Sequence, residues 1–303
     1  MSTTTADTLV SWTEVQDIEL VIARRMHEYM AGAHPSVFQG SGFDFVGLRD
    51  WQPGDRLSSI DWSQSTLTNF SPLITREFEQ QSTARIVIVA DTSVSTRCGT
   101  RGVPIATVVA RAVATFAMAG AFFQDQVGLI TFDGRCRHMG VRPQVGKNHA
   151  IHCLDAYQDV VFGRTQYEPQ PVENTFDGLL RKTSMVPVVS DFLFEDYESF
   201  LDDLLKLQAS HDTFVVLVDS RHAYDLPAIS DGWIEAADAE TGESCLMSSS
   251  DLGELSGRIV DWQNTVESAA LSRGLEVLRV SADADTFHGA AVRFLADRRL
   301  RKR

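Results

Sequence analysis

Two strings of oxygen-bearing side chains stand directly behind runs of aliphatic residues. Asp91-Thr92-Ser93-Val94-Ser95 follows Ile86-Val87-Ile88-Val89-Ala90, and Asp191 follows Val186-Pro187-Val188-Val189-Ser190. Asn174-Thr175 opens a short predicted helix ahead of the second run. Unbroken aliphatic runs of this length read as strands buried on both faces, and in open α/β sheets ligands gather outside the carboxyl ends of the strands. Two carboxylates and three hydroxyls are therefore expected along one sheet edge. Such donors are hard oxygens without imidazole or thiolate, and they suit Mg2+ or Mn2+ rather than zinc or copper. In Asp-x-Ser-x-Ser the residues i, i+2 and i+4 of a turn leaving a strand can face the same way while the others pack back. A cation held largely by neutral hydroxyls keeps surplus positive charge and an open position. The expected function is recognition of an Asp or Glu of another protein through that ion. The motif also has a plainer use, with Asp91 and Ser93 capping the next helix. Its place behind one buried strand, with Ser190-Asp191 behind another, favours the metal.

Those residues need elements to hold them. Ser11 with Glu14 is a capping-box signature, and Val15, Ile18, Ile22, Met26 and Tyr29 recur at helical spacing, so a helix is predicted from about Trp12 to Met30. A Gly, Pro and Ser rich stretch, 32–42, leads to FVGLRDW and SSIDWSQS, separated by the turn Pro53-Gly54-Asp55. This reads as a small β-rich element. From Arg85 the pattern is strand IVIVAD, an Ala-rich helix near Val103 to Phe123, strand VGLITFD and an extended hairpin segment RCRHMGVRP. Helices over 147–157 and 176–183 precede strand MVPVVSD, and a helix over 197–209 precedes strand TFVVLVD. A hairpin of WIEAAD and SCLMSS, a helix from Leu252 to Ser272, strand LEVLRVS and a last helix from about Thr286 complete the chain. The alternation calls for a doubly wound, mostly parallel α/β sheet. Three regions follow: 1–31 as tail and helix, 32–83 as the β-rich element, and 84–303 as the main domain with a hairpin insertion near 231–250.

Composition narrows the functions open to this fold. The 303 residues carry a formal charge of −14, which repels phosphate backbones, so no nucleic acid partner is expected. A hydrophobic share of 44% with 22% charged residues fits a folded chain with a core. The four cysteines, Cys98, Cys136, Cys153 and Cys245, form no CxxC pair and suit a reducing compartment. The most apolar stretch, Ile105 to Phe123, has Arg111 inside it and is rich in Ala and Gly. It falls short of the ~20 uninterrupted apolar residues of a membrane span, and no integral membrane segment is expected. The first residues, MSTTTADTLVSW, lack the basic and apolar parts of a secretory signal, and the expected location is cytoplasmic.

The sequence resembles the family catalogued as domain of unknown function 58, whose members contain a von Willebrand factor A-like domain with a metal-ion-dependent adhesion site. The resemblance runs from Gly40 onward. It is carried by Gly40-Ser41-Gly42-Phe43-Asp44-Phe45, Leu48-Arg49-Asp50-Trp51-Gln52-Pro53-Gly54-Asp55 and Ile60-Asp61-Trp62, then by Arg76-Glu77-Phe78-Glu79, Asp91, Ser93, Ser95 and Ser190-Asp191-Phe192. His211-Asp212 and Glu240-Thr241-Gly242 also match. The chain departs from the family at Leu57-Ser58-Ser59 and Ser63-Gln64-Ser65, where basic residues are usual, and has Asp44 where Glu is commoner. The resemblance implies a Rossmann-like, von Willebrand A-like fold and favours Thr175, over the nearby Thr165 and Thr183, as the threonine ligand beside Asp91, Ser93, Ser95 and Asp191. It also implies an adaptor that works with a MoxR-type AAA+ ATPase on a client protein in assembly or maturation. The chain has no Walker A sequence of its own, so the motor would be a separate protein and the chain itself no enzyme.

Other chemistries compete for some of these residues. Asp91 at a strand end could be the nucleophile of a Mg-dependent phosphoesterase, yet Ser93 stands where the dehalogenase-like arrangement wants a second Asp as general acid. His149, His152 and Cys153 sit at helical spacing but lack an evident fourth zinc ligand. Gly40-Ser41-Gly42 follows no buried strand, as a dinucleotide loop would. Trp51, Trp62, Arg49 and Asp61 are expected to pack structurally. The basic run Arg298-Arg299-Leu300-Arg301-Lys302-Arg303 is expected to be a solvated helix end whose removal leaves folding intact.

Overall fold

A computed structural model describes residues 8–32, 44–53, 55, 57–79, 84–100, 103–133, 136–164, 170–171, 180, 182–224, 233–237 and 244–301. The chain divides into two units, Met1–Met26 with Ala84–Arg303, and His27–Thr83. Helix α1 (Trp12–Gly32) begins in the first of these. Val15, Ile18 and Ile22 form its buried stripe, and its polar side pairs Glu14 with Arg111 and Glu19 with Lys147.

In the smaller unit, strands β1 (Asp44–Asp50) and β2 (Ile74–Glu79) form an antiparallel pair with a bulge between Phe45 and Gly47. The turn after β1 is held by Arg49, whose guanidinium grips both oxygens of Asp55 at 2.7 and 2.8 Å, while the Gln52 amide donates to the same carboxylate. These bonds, Arg49 first, lower the Asp55 pKa to about 2. The predicted β-rich segment SSIDWSQS holds helix α2 (Trp62–Leu67) instead, because Asp61 accepts the Gln64 amide hydrogen and starts a helix there. Trp62, expected in a core, is 58% exposed as the first residue of this helix.

The larger unit is built on strands β3 (Arg85–Asp91), β4 (Gly99–Thr100), β5 (Val103–Pro104), β6 (Gln126–Asp133), β7 (Cys136–Gln144), β8 (Gln170–Pro171), β9 (Met185–Ser190), β10 (Asp212–Val218), β11 (Trp233–Ala237), β12 (Ser244–Ser248) and β13 (Val277–Val280). Seven of them form one sheet in the order β13-β10-β9-β3-β6-β7-β8. The pairs from β13 to β6 are parallel, and β7 and β8 add antiparallel at the edge. The helices are α3 (Ile105–Phe122), α4 (Lys147–Val161), α5 (Tyr197–Gln208), α6 (Ser249–Ser272) and α7 (Ala284–Arg301). The helix predicted over 176–183 lies mostly outside the described residues.

Successive strand residues point to opposite faces of the sheet. Val87, Val89, Val188, Val215 and Leu217 share a core cluster with Leu201 and Leu204 of α5 and Val266 and Ala270 of α6. On the other face Phe214 meets Phe116 of α3 at 6.0 Å and Phe294 of α7 at 4.9 Å. Both faces are covered, which is why these strands read as continuous apolar runs. By length and composition α3 would pass for a membrane span, but 89% of it is buried inside the fold. It lies so close to the sheet that a Cβ on Gly120 would stand 2.5 Å from Val127 Cγ2.

The C-terminal basic run differs from expectation. Arg298 is buried, donates to Asp212 Oδ1 at the start of β10 and to Glu276, and lies 4.5 Å over the Phe214 ring. A cation with two carboxylate partners and an aromatic face is part of the core.

Candidate metal centre

β3 and β9 are neighbours in the sheet, and their parallel register aligns Ala90 with Val189. Asp91, the last residue of β3, and Ser190, the last of β9, with Asp191 directly after it, therefore stand at the same carboxyl edge. Adjacent strands are about 4.8 Å apart, so the two carboxylates start from neighbouring positions. The link is direct, since the Ser190 hydroxyl donates to Asp91 Oδ2 at 2.6 Å.

Each aspartate makes the same local turn. Asp91 Oδ1 accepts the Ser93 amide hydrogen at 2.8 Å, and Asp191 Oδ1 accepts that of Leu193 at 3.2 Å. These Asx turns end the strands and bring following residues over the edge. Ser93 and Ser95 are thereby placed with their hydroxyl oxygens 3.0 Å apart. Ser93 precedes a 3-10 turn, Val94–Arg97, and makes no side-chain cap to it. The capping alternative thus holds only for the Asx bond of Asp91. The structure brings together Asp91, Ser93 and Ser95, with Asp191 on the adjoining strand end. Thr175 lies outside the described residues.

The electrostatics favour a cation. Asp91 is 1% exposed. Burial pushes its pKa from 3.8 up to about 6, against the hydrogen bonds from Ser190 and Ser93, and the charge of Asp133 pushes the same way as burial. A buried carboxylate with another carboxylate on the next strand is costly to ionise unless positive charge comes to it. A carboxylate oxygen has two lone pairs, so the bonds to Ser93 and Ser190 leave Asp91 able to bind a metal. The donor set is all oxygen and fits Mg2+ or Mn2+. Among the described residues, no group of three or more His, Cys, Asp or Glu is placed to hold a metal ion. The site rests on two carboxylates and hydroxyls.

Several contributors escape motif reading. Asp133 ends β6, beside β3, where Asp91 aligns with Phe132. The strand-end rule that found Asp91 and Asp191 applies equally to Asp133 and to Asp219, which follows β10 and makes the same Asx turn to Arg221. Tyr157 of α4, fully buried, donates to the Asp91 carbonyl at 3.0 Å. No local sequence signal marks that contact. Of the proposed zinc ligands, His149 and His152 have ring centroids 5.9 Å apart. Cys153 is buried, and burial pushes its thiol up to about 12. Gly40-Ser41-Gly42 lies outside the described residues.

Residues 47–252 match the family described as Protein of unknown function DUF58. No curated protein matches the chain. Among solved structures, the chain is similar to the conserved hypothetical protein BatB from Bacteroides thetaiotaomicron, at 11% identity, over 71% of this chain and 98% of that one, with a TM-score of 0.41. It is also similar to an uncharacterized membrane spanning protein from Vibrio fischeri, at 16% identity, over 70% of this chain and 96% of that one, with a TM-score of 0.23.

Proposed function

The chain belongs to the DUF58 family of unknown function, and from that premise we propose that it is a metal-dependent protein-binding adaptor built on a von Willebrand A-like domain. Asp91, Ser93, Ser95 and Asp191, with Thr175 as the fifth donor, hold Mg2+ directly or through water as a metal-ion-dependent adhesion site. When bound, the ion supplies an electrophilic position for an Asp or Glu of a client protein. The chain's own residues orient that position. Asp91 is fixed by Ser190 and Ser93, and the neighbouring hydroxyls of Ser93 and Ser95 offer neutral donors, so that only the two carboxylates offset the ion's charge and a coordination position stays open. The observation that carries this reading is the 2.6 Å bond from Ser190 to Asp91, which ties the two acidic strand ends into one site.

The role in a cell is that of a partner of a MoxR-type AAA+ ATPase, with the adaptor gripping an acidic client during assembly or maturation of a complex. What supports this is the resemblance carried by the motifs from Gly40 to Asp191; the description of the matched family gives no function. A dehalogenase-like phosphoesterase would need a second Asp two positions after Asp91 as general acid, and Ser93 stands there.

The experiment is capture of client and ATPase from an extract by immobilised protein, with Mg2+ or with chelator. Wild type captures an acidic client with Mg2+ only, and Asp91→Ala captures none while keeping its circular dichroism. Equal capture by the variant contradicts the proposal. Phosphoester turnover lost in Asp91→Asn would replace it with an enzyme.

A further inference from the structure

Helix α6 reaches the candidate centre through two consecutive side chains. Trp262 Nε1 donates to the Phe192 carbonyl at 2.9 Å. Gln263 Nε2 lies 3.1 Å from the Asp191 carbonyl, 2.7 Å from the Val218 carbonyl and 3.1 Å from Ser220 Oγ. Gln263 is fully buried, and its Oε1 has no hydrogen-bond partner among the described residues. An apolar side chain of that size would avoid the cost of a buried, unsatisfied acceptor. What the amide supplies is a donor to the backbone at the ends of β9 and β10 together.

The segment it holds has an uncommon conformation. Phe192 has a φ of 55° and is fully buried. A bulky residue pays for the left-handed region, and the surrounding structure must impose it. That bend turns the Phe192 amide to Ser190 Oγ, 2.9 Å away, while the Ser190 hydroxyl donates to Asp91 Oδ2. One chain of bonds therefore runs from Trp262 through Phe192 and Ser190 to Asp91. A second runs from Gln263 to Asp191.

We infer that Gln263 and Trp262 are positioning residues of the metal centre, setting the separation of Asp91 and Asp191 by locking the Asp191–Phe192 backbone. The inference rests on the metal-binding reading above. Neither residue touches the ion. They act on where its two carboxylates stand, and residues that orient metal ligands typically affect affinity by about 10–100-fold.

Mn2+ is the probe, with free ion counted by its paramagnetic resonance signal during titration of the purified full chain. Gln263→Met keeps the volume and removes the donors. Trp262→Phe keeps an aromatic ring beside Tyr197, whose ring centroid is 5.3 Å from that of Trp262, and removes the N–H. Val266→Ala, on the same helix and in the core cluster that also holds Phe192, weakens packing but leaves every hydrogen bond to the Asp191–Phe192 backbone in place. Wild type binds one Mn2+. Gln263→Met binds about ten-fold more weakly or worse, Trp262→Phe loses affinity to a smaller extent, and Val266→Ala stays within about two-fold although its melting temperature falls. Wild-type affinity in folded Gln263→Met and Trp262→Phe overturns the inference. So does an equal loss in Val266→Ala, which would mean general loosening. If Gln263→Met fails to fold, Trp262→Phe alone decides in the same way. No Mn2+ binding by wild type removes the metal centre itself, a separate failure.

Discussion

Among the residues of the proposed centre, Asp91 bears the cost of burial. Its folded pKa of about 6 against 3.8 unfolded means that the folded state holds its proton more tightly between those values. Its contribution to stability therefore falls as pH rises from about 4 to 6 and is level beyond. Denaturant midpoints of the metal-free protein should show wild type losing ground to Asp91→Asn across that window; parallel curves would refute it. Proton and metal compete for one carboxylate, so Mg2+ should raise the melting temperature more at pH 7.5 than at pH 5. Ser190→Ala strips a donor from Asp91 and an acceptor from the buried Phe192 amide. About 1–3 kcal/mol of stability should be lost by chemical denaturation, and a neutral result would show that the bond is not made in solution. Asp91, Ser93 and Asp191 were legible because a hard-oxygen string behind an apolar run has a defined place in such sheets. Ser190 was hidden in plain view, since a serine inside a strand end says nothing of which neighbour it will bond.

At the level of elements, periodicity gives most strands and helices, and it misses where a local cap or a contact distant in sequence decides. The segment SSIDWSQS was read as extended, but the Asp61 cap turns it into α2. The C-terminal run was read as solvated from its charge, although Arg298 is held by Asp212, Glu276 and Phe214, all distant in sequence. Deleting 299–303 should change little. Deleting 298–303 leaves the buried Asp212 without its cation and should cost about 3–5 kcal/mol, measured as a fall in melting temperature or in soluble yield; equal stability of the two truncations would contradict this burial. Gly120 was not singled out either, because its need arises only where α3 meets β6. Gly120→Val should destabilise by about 1–3 kcal/mol through overpacking against Val127 and Ile86.

At the scale of the molecule, the mostly parallel sheet follows from runs that must be covered on both faces and the antiparallel β7 from the hairpin segment RCRHMGVRP, while the strand order and the edge strand β8 have no signal in the sequence. On the proposed reading, a protein with a formal charge of −14 grips an acidic side chain against its own field. Added salt screens that repulsion, within a Debye length of about 8 Å at physiological strength. Capture of an acidic client should therefore hold or strengthen between 50 and 300 mM salt, on the order of the screening change, and a steep loss would point to a basic partner. The most direct test of the account is the anomalous signal of Mn2+ in crystals of the protein. The account predicts one Mn2+ at the carboxyl edge of β3 and β9, bound by Asp91 and the Ser93 and Ser95 hydroxyls, with Asp191 reaching it directly or through one water. A peak elsewhere, or none at saturating Mn2+, would contradict it.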